Sequence, residues 1–181
     1  MERSSFTLDL GAIRRNAETL LRAARGAELW AVVKANGYGH GAPDVARAAL
    51  QGGASALCVA TVDEALELRT VPALDDARVI VMGPANDREL RQASSARLEL
   101  VLSAGPIPEE VFVHLKLDTG MGRWGLSELP APTRSVIGIM SHLAAAESDA
   151  DFTSRQIERF REATADLDET LVRHLANSAG T

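Results

Sequence analysis

The sequence is short of several things, and each shortage removes a class of protein. It has one cysteine in 181 residues, so no internal disulfide can form. That residue, Cys58, lies in the apolar run ALCVAT and reads as a buried structural thiol. No stretch approaches the roughly 20 apolar residues of a membrane span, and the start, MERSSFTLDL, lacks the apolar centre of a secretion signal. These features read as a cytoplasmic chain with no membrane partner. Basic clusters are missing too: nothing exceeds a short Arg pair and the net charge is -6, which sets nucleic acid aside as a partner. The four histidines lack zinc-site spacing, so no metal is implied. P-loop, nucleophilic-triad and paired-carboxylate motifs are not found. What remains, 46% hydrophobic and 24% charged, is an ordinary globular composition. Its length suits one domain but is short for a barrel enzyme of roughly 250 residues.

What is present is alternation. Helical and strand patterns follow one another, the sign of an α/β protein with a parallel sheet. The first helix is predicted after Asp9 as cap, with Ile13, Ala17, Leu20, Leu21 and Ala24 on one face. A second begins near Pro43 and ends at Gly52 and Gly53. Thr61 and Glu64 have capping-box spacing for a third. Asp151 or Thr153 is expected to open a late helix with Ile157, Phe160, Ala163 and Leu167 in one stripe. Seven strand candidates result: ELWAVVK, ALCVAT, RVIVMG, LELVLS, FVHLKLD, VIGIMSH and LVRHLANS. The connections AGPIPEE and SELPAPTRS carry proline and are too short or broken for crossover helices, so irregular loops are expected there.

Chemistry gathers at strand ends. Lys34 closes LWAVVK and precedes ANGYGHG, which puts it at the carboxyl end of a buried strand, where barrel enzymes place their reactive groups. Partial desolvation there favours the neutral amine that attacks an aldehyde; a snorkelling lysine before a turn stays equally open on this pattern alone. Alternation in FVHLKLD sets Phe112, His114, Lys116 and Asp118 on one face. Helices cover the outside of a parallel barrel, so that polar set should point inward and be paired, with Arg123 a candidate to reach it. The glycines of TGMGRWG match a dinucleotide pattern only weakly, because Pro130 and Pro132 interrupt the helix it needs. His142 ends the sixth strand, and Asn177 and Ser178 close the seventh, where barrels build phosphate sites.

Taken in order, AVVKANGYGHG, VHLKLDTGMGRWG, GIMSHLAAAESD and RHLANSA resemble the amino-terminal barrel domain of alanine racemases. The resemblance implies a TIM-like (β/α)8 barrel of the fold-type III pyridoxal phosphate enzymes. It also implies interconversion of L-alanine and D-alanine for peptidoglycan. By the same resemblance Lys34 is the Schiff-base lysine and one of two bases, and Tyr38, Asn177 and Ser178 lie at the cofactor phosphate. Arg123 bonds the cofactor's phenolic oxygen, Lys116 is a lysine carbamylated in some members, and His142 sits beside the pyridine ring. Members of the family are homodimers with an eighth strand and a β domain that carries the second base, a tyrosine. The 181 residues hold none of these, so the expectation is one partial barrel of about seven strands, residues 1–181, with the carboxyl-terminal β domain absent. The alternatives are a noncatalytic single-domain pyridoxal phosphate protein or an inactive fragment.

Overall fold

Asp9 opens the first helix as its sequence position suggests: Oδ1 accepts the Ala12 N–H at 3.0 Å, and α1 runs Leu10–Ala23. The computed structural model describes residues 5–181. The chain divides into two compact units, residues 1–80 and 81–181. Among the described residues seven parallel strands follow the same order in the sheet as in the chain, with helices in every connection except the two between the fourth and sixth strands, the topology of an incomplete (β/α)8 barrel.

In the first unit, β1 (Trp30–Val32) pairs in parallel with β2 (Ala56–Val59), Trp30 opposite Ala56 and Val32 opposite Cys58. All four residues of β2 are buried, as expected of a strand covered on both faces. The helix α2 (Ala42–Gln51) has proline in its first turn and closes at Gly52. That glycine is fixed by packing: a Cβ there would lie 2.6 Å from the Arg14 carbonyl oxygen and 2.7 Å from Ala17 Cβ, so α1 and the end of α2 can approach only over a bare backbone. The helix α3 (Val62–Arg69) carries the full capping box of Thr61 and Glu64. The wholly buried β3 (Val79–Val81) follows. At the amino ends of the strands Glu28 Oε2 accepts from Trp30 Nε1 at 2.7 Å and Ser55 Oγ at 2.9 Å, while the Arg78 guanidinium lies 4.6 Å over the Trp30 ring.

In the second unit, β4 (Glu99–Leu102), β5 (Phe112–Lys116), β6 (Val136–Met140) and β7 (Val172–His174) pair successively in parallel. Three details differ from the sequence reading, the first being that the late helix stops at Thr164, short of Leu167, and buries Gln156, Phe160 and Thr164 rather than the stripe through Ala163. A helix, α4 (Asp87–Ser95), stands before β4 on a capping box of Asn86 and Glu89 that the reading did not single out. The late helix α5 (Ala150–Thr164) is capped by Asp149, whose carboxylate accepts the Phe152 N–H at 2.8 Å, rather than by Asp151 or Thr153. Asp151 falls in the first turn, and Thr153 turns its hydroxyl back to the Asp149 carbonyl. The two proline-bearing connections hold no helix, as expected. Among the described residues no helix is long and apolar enough to cross a membrane.

Candidate functional site

Each unit places reactive side chains at the carboxyl ends of its strands. In the first, Val33 N–H still donates to the Cys58 carbonyl at 2.8 Å, and with Lys34 the chain turns. The helical turn Lys34–Tyr38 is left-handed: φ is 51° at Ala35, 53° at Asn36, 63° at Gly37 and 57° at Tyr38. Left-handed backbone costs an L-residue about 1–2 kcal/mol, and only one of the four is glycine. Such a run persists where its surroundings enforce it, and it is typical of functional sites.

The enforcement is visible. Glu64 Oε1 accepts the Ala35 N–H at 2.7 Å, while Oε2 accepts those of Ala60 at 2.7 Å and Thr61 at 3.3 Å. The Asn36 side-chain oxygen accepts the Ala42 N–H at 2.9 Å, which joins the turn to the start of α2. At Gly37 a Cβ would meet Val45 Cγ2 at 3.0 Å, so no other residue fits without displacement. Lys34 is half-buried at the head of the turn and Tyr38 is 58% exposed. Beside them a Cβ on Gly39 or Gly41 would meet no atom within 4 Å, so the backbone there is open to a bulky partner.

In the second unit the polar face of β5 is paired, as the alternation required, but through partners that spacing did not reveal. His114 is fully buried; its Nε2 lies 2.8 Å from Glu99 Oε2 on β4, and its Nδ1 3.0 Å from His174 Nε2 on β7. Phe112, at the strand's start, is exposed. Lys116, 7% exposed, donates from Nζ to the backbone carbonyl of Arg123 at 2.9 Å, so the expected meeting of Lys116 and Arg123 is made through main chain. Burial, with the like charge of Arg123 second, pulls the Lys116 ammonium below its usual pKa of 10.5 against the opposing pull of Asp118.

The loop after β5 doubles back to make this contact: Leu126 N–H donates to the Lys116 carbonyl at 2.8 Å and Asp118 N–H to the Leu126 carbonyl at 2.9 Å. The Asp118 carboxylate accepts the N–H groups of Gly120 at 2.9 Å and Gly122 at 3.0 Å. Burial alone would raise the Asp118 pKa, but the N–H donors of Gly120, Gly122 and Met121, with the Lys116 charge, bring it below 3.8. No helix starts at these glycines, so the dinucleotide pattern is set aside.

A second polar group went unread in the sequence. Gln156, fully buried on α5, donates to the His142 carbonyl at 3.0 Å and to Thr119 Oγ1 at 3.2 Å, and accepts the Ala144 N–H at 2.9 Å. It thus holds the backbone on both sides of Leu143, immediately after His142. Asn177 donates to the Leu143 carbonyl at 3.2 Å and its oxygen accepts the Gly180 N–H at 3.0 Å, which leaves Ser178 exposed on the turn Ser178–Gly180. Among the described residues no cluster of metal-ligating side chains is found.

Comparison with known proteins decides the ancestry. The family described as "Alanine racemase, N-terminal domain" matches residues 8–181. The chain belongs to the alanine racemase family. The alanine racemase of Beutenbergia cavernae is 41% identical over 96% of this chain and 53% of its own. Among solved structures, alanine racemase from E. faecalis superposes with a TM-score of 0.82 at 32% identity, covering 95% of this chain and 53% of that one. The enzyme from Streptomyces coelicolor A3(2) gives 0.81 at 36% identity with the same coverage. The chain spans about half the length of the curated relatives it matches. Alanine racemases are pyridoxal 5'-phosphate enzymes, which makes that cofactor the one to test against the residues described.

Proposed function

We propose that this chain is the cofactor-binding half of an amino-acid racemase acting between L-alanine and D-alanine, with Lys34 as the residue that holds pyridoxal 5'-phosphate. The observation that carries the reading is Lys34 at the carboxyl end of β1, on a strained, braced turn, in a chain that matches alanine racemases over residues 8–181. The residues fit the group: an aldehyde needs a primary amine, and the open backbone at Gly39 and Gly41 leaves room for a ring beside it. Bound pyridoxal phosphate draws electrons from the α carbon of an amino acid, and the protein supplies orientation and bases.

With the cofactor and substrate bound, Lys34 would take or return the α proton on one face, the step that serves D-alanine, and Tyr38 would be a partner of the phosphate. By the family resemblance, Arg123 would supply a fixed cation to the cofactor's phenolic oxygen, His142 would belong beside its ring, and Asn177 with Ser178 would offer groups to its phosphate. Racemisation needs a second base on the opposite face, which the family supplies as a tyrosine, and a homodimer is the assembly in which it acts. Lys116 is the candidate for carbamylation: burial favours its neutral amine, which can add carbon dioxide and lose a proton. The product is an anion beside Arg123, replacing repulsion by attraction. D-alanine made this way would serve peptidoglycan, and the single cysteine suits the cytoplasm.

Borohydride reduction of the chain in the presence of pyridoxal phosphate, followed by peptide mapping, is expected to place the adduct on Lys34 and to give none in Lys34→Ala. An adduct spread over surface lysines, with Lys34 unmodified, would reject the reading.

A further inference from the structure

Glu64 was legible in the sequence as half of a capping box, and that role uses only one of its oxygens. Oε2 accepts the Thr61 N–H at 3.3 Å, closing the box, and also the Ala60 N–H at 2.7 Å. Oε1 does nothing for α3. It reaches 29 residues back along the chain and accepts the Ala35 N–H at 2.7 Å, the first amide after Lys34 and the first left-handed residue of the turn. One carboxylate therefore ties the carboxyl end of β1 to the carboxyl end of β2.

We propose that Glu64 is a positioning residue for Lys34: through the Ala35 amide it locks the left-handed turn that sets where the lysine side chain starts. The proposal rests on Lys34 being the cofactor lysine. A carboxylate suits the position because all three groups facing it are N–H donors and its two oxygens can both accept. Glutamine offers one acceptor oxygen and an amide nitrogen that donates, so one of the two strand ends must face the wrong group. Hydrogen bonds to a charged acceptor are the stronger kind, and this one holds a residue in a conformation that an alanine avoids.

Three variants of the full chain separate this role from helix capping: Glu64→Gln, Thr61→Ala, and Glu64→Gln combined with Ala35→Gly. The pyridoxal phosphate concentration that half-saturates borohydride trapping at Lys34 is read on all three, and amide hydrogen exchange at Ala35 on the two that keep the alanine. Glu64→Gln is expected to speed Ala35 exchange about tenfold and raise the half-saturating concentration about tenfold, the scale of one charge-assisted hydrogen bond. Ala35→Gly should recover about threefold of that loss in trapping, because glycine takes positive φ without penalty. Thr61→Ala should lower the urea midpoint and leave both readouts unchanged. If Thr61→Ala reproduces the Glu64→Gln changes, or the glycine recovers nothing, Glu64 is a helix cap and the proposal is wrong. If the unmodified chain is never trapped at Lys34, the cofactor reading fails instead, and the exchange data still decide the role of Glu64.

Discussion

Gly138 offers a test of the buried histidine chain. It lies in β6 without positive φ, so no backbone requirement explains it. A Cβ built there would lie 2.1 Å from His114 Nδ1, 2.7 Å from His114 Cε1 and 3.0 Å from the Val172 carbonyl oxygen. Non-bonded heavy atoms settle at about 3.5–4.0 Å, so in Gly138→Ala the fully buried imidazole must retreat by roughly 1 Å or more. Its contacts with Glu99 at 2.8 Å and His174 at 3.0 Å cannot both survive that shift. Overpacking a core typically costs about 1–3 kcal/mol, and losing a hydrogen bond to a carboxylate about 1.5–3 kcal/mol. The expected loss is therefore about 3–6 kcal/mol, a large part of the 5–15 kcal/mol that holds a typical domain together. Elsewhere in a strand the same change stabilises by about 0.5–1 kcal/mol. Urea unfolding of Gly138→Ala, His114→Ala and the double variant measures the coupling. With the ring gone, adding the methyl group should cost under about 1 kcal/mol. An unshifted midpoint for Gly138→Ala, or a penalty that persists without the His114 ring, refutes the steric account.

Two further outcomes follow from the loop after β5. Because the folded Asp118 pKa lies below 3.8, its contribution to stability is present above about pH 4 and lost as pH falls through the folded value. The urea midpoint of Asp118→Asn should thus lie below that of the unmodified chain at pH 6, with the gap closing on acidification. A gap that stays constant from pH 6 to pH 2 contradicts this. For Lys116, incubation with carbon-13 bicarbonate near neutral pH should give a protein-bound carbamate signal in NMR that Lys116→Met lacks; no signal, or one that survives the substitution, excludes the modification.

Much of the architecture could be read along the chain because its signals are local. Asp9, Pro43 and the Thr61–Glu64 pair mark helix starts within one turn of sequence, and apolar runs or polar–apolar alternation mark the strands. Lys34, His142 and Asn177 stand out in the sequence because they close strands at the end where barrels place their chemistry, and Lys116 because it shares the polar face of an alternating strand, although a lysine before a turn, a lone histidine and an Asn-Ser turn each have ordinary structural readings. What escaped depends on proximity across elements. His114 meets Glu99 and His174 over 15 and 60 residues of chain, because neighbouring parallel strands bring distant positions level. The left-handed turn gives almost no signal, since Ala35, Asn36 and Tyr38 are ordinary residues held there by Glu64 and their neighbours. Gln156 reads as one more polar residue on an amphipathic helix, although it is buried among backbone partners. The predicted start of the late helix, at Asp151 or Thr153, lies two or four residues past the true cap because Asp149, Asp151 and Thr153 all offer capping oxygens and only geometry selects Asp149.

The clasp at Glu28 also gives the molecule an optical property. The sequence has two tryptophans. Trp30 lies in the first unit, its indole N–H on Glu28 and its ring under the Arg78 cation, while Trp124, in the second, is 58% exposed. Each unit thus carries one emitter in its own surroundings. With Trp124→Phe the chain reports fluorescence from the first unit alone, and with Trp30→Phe from the second. Unfolding curves from the two variants then show whether residues 1–80 and 81–181 lose their structure in one transition or in two, with no added label.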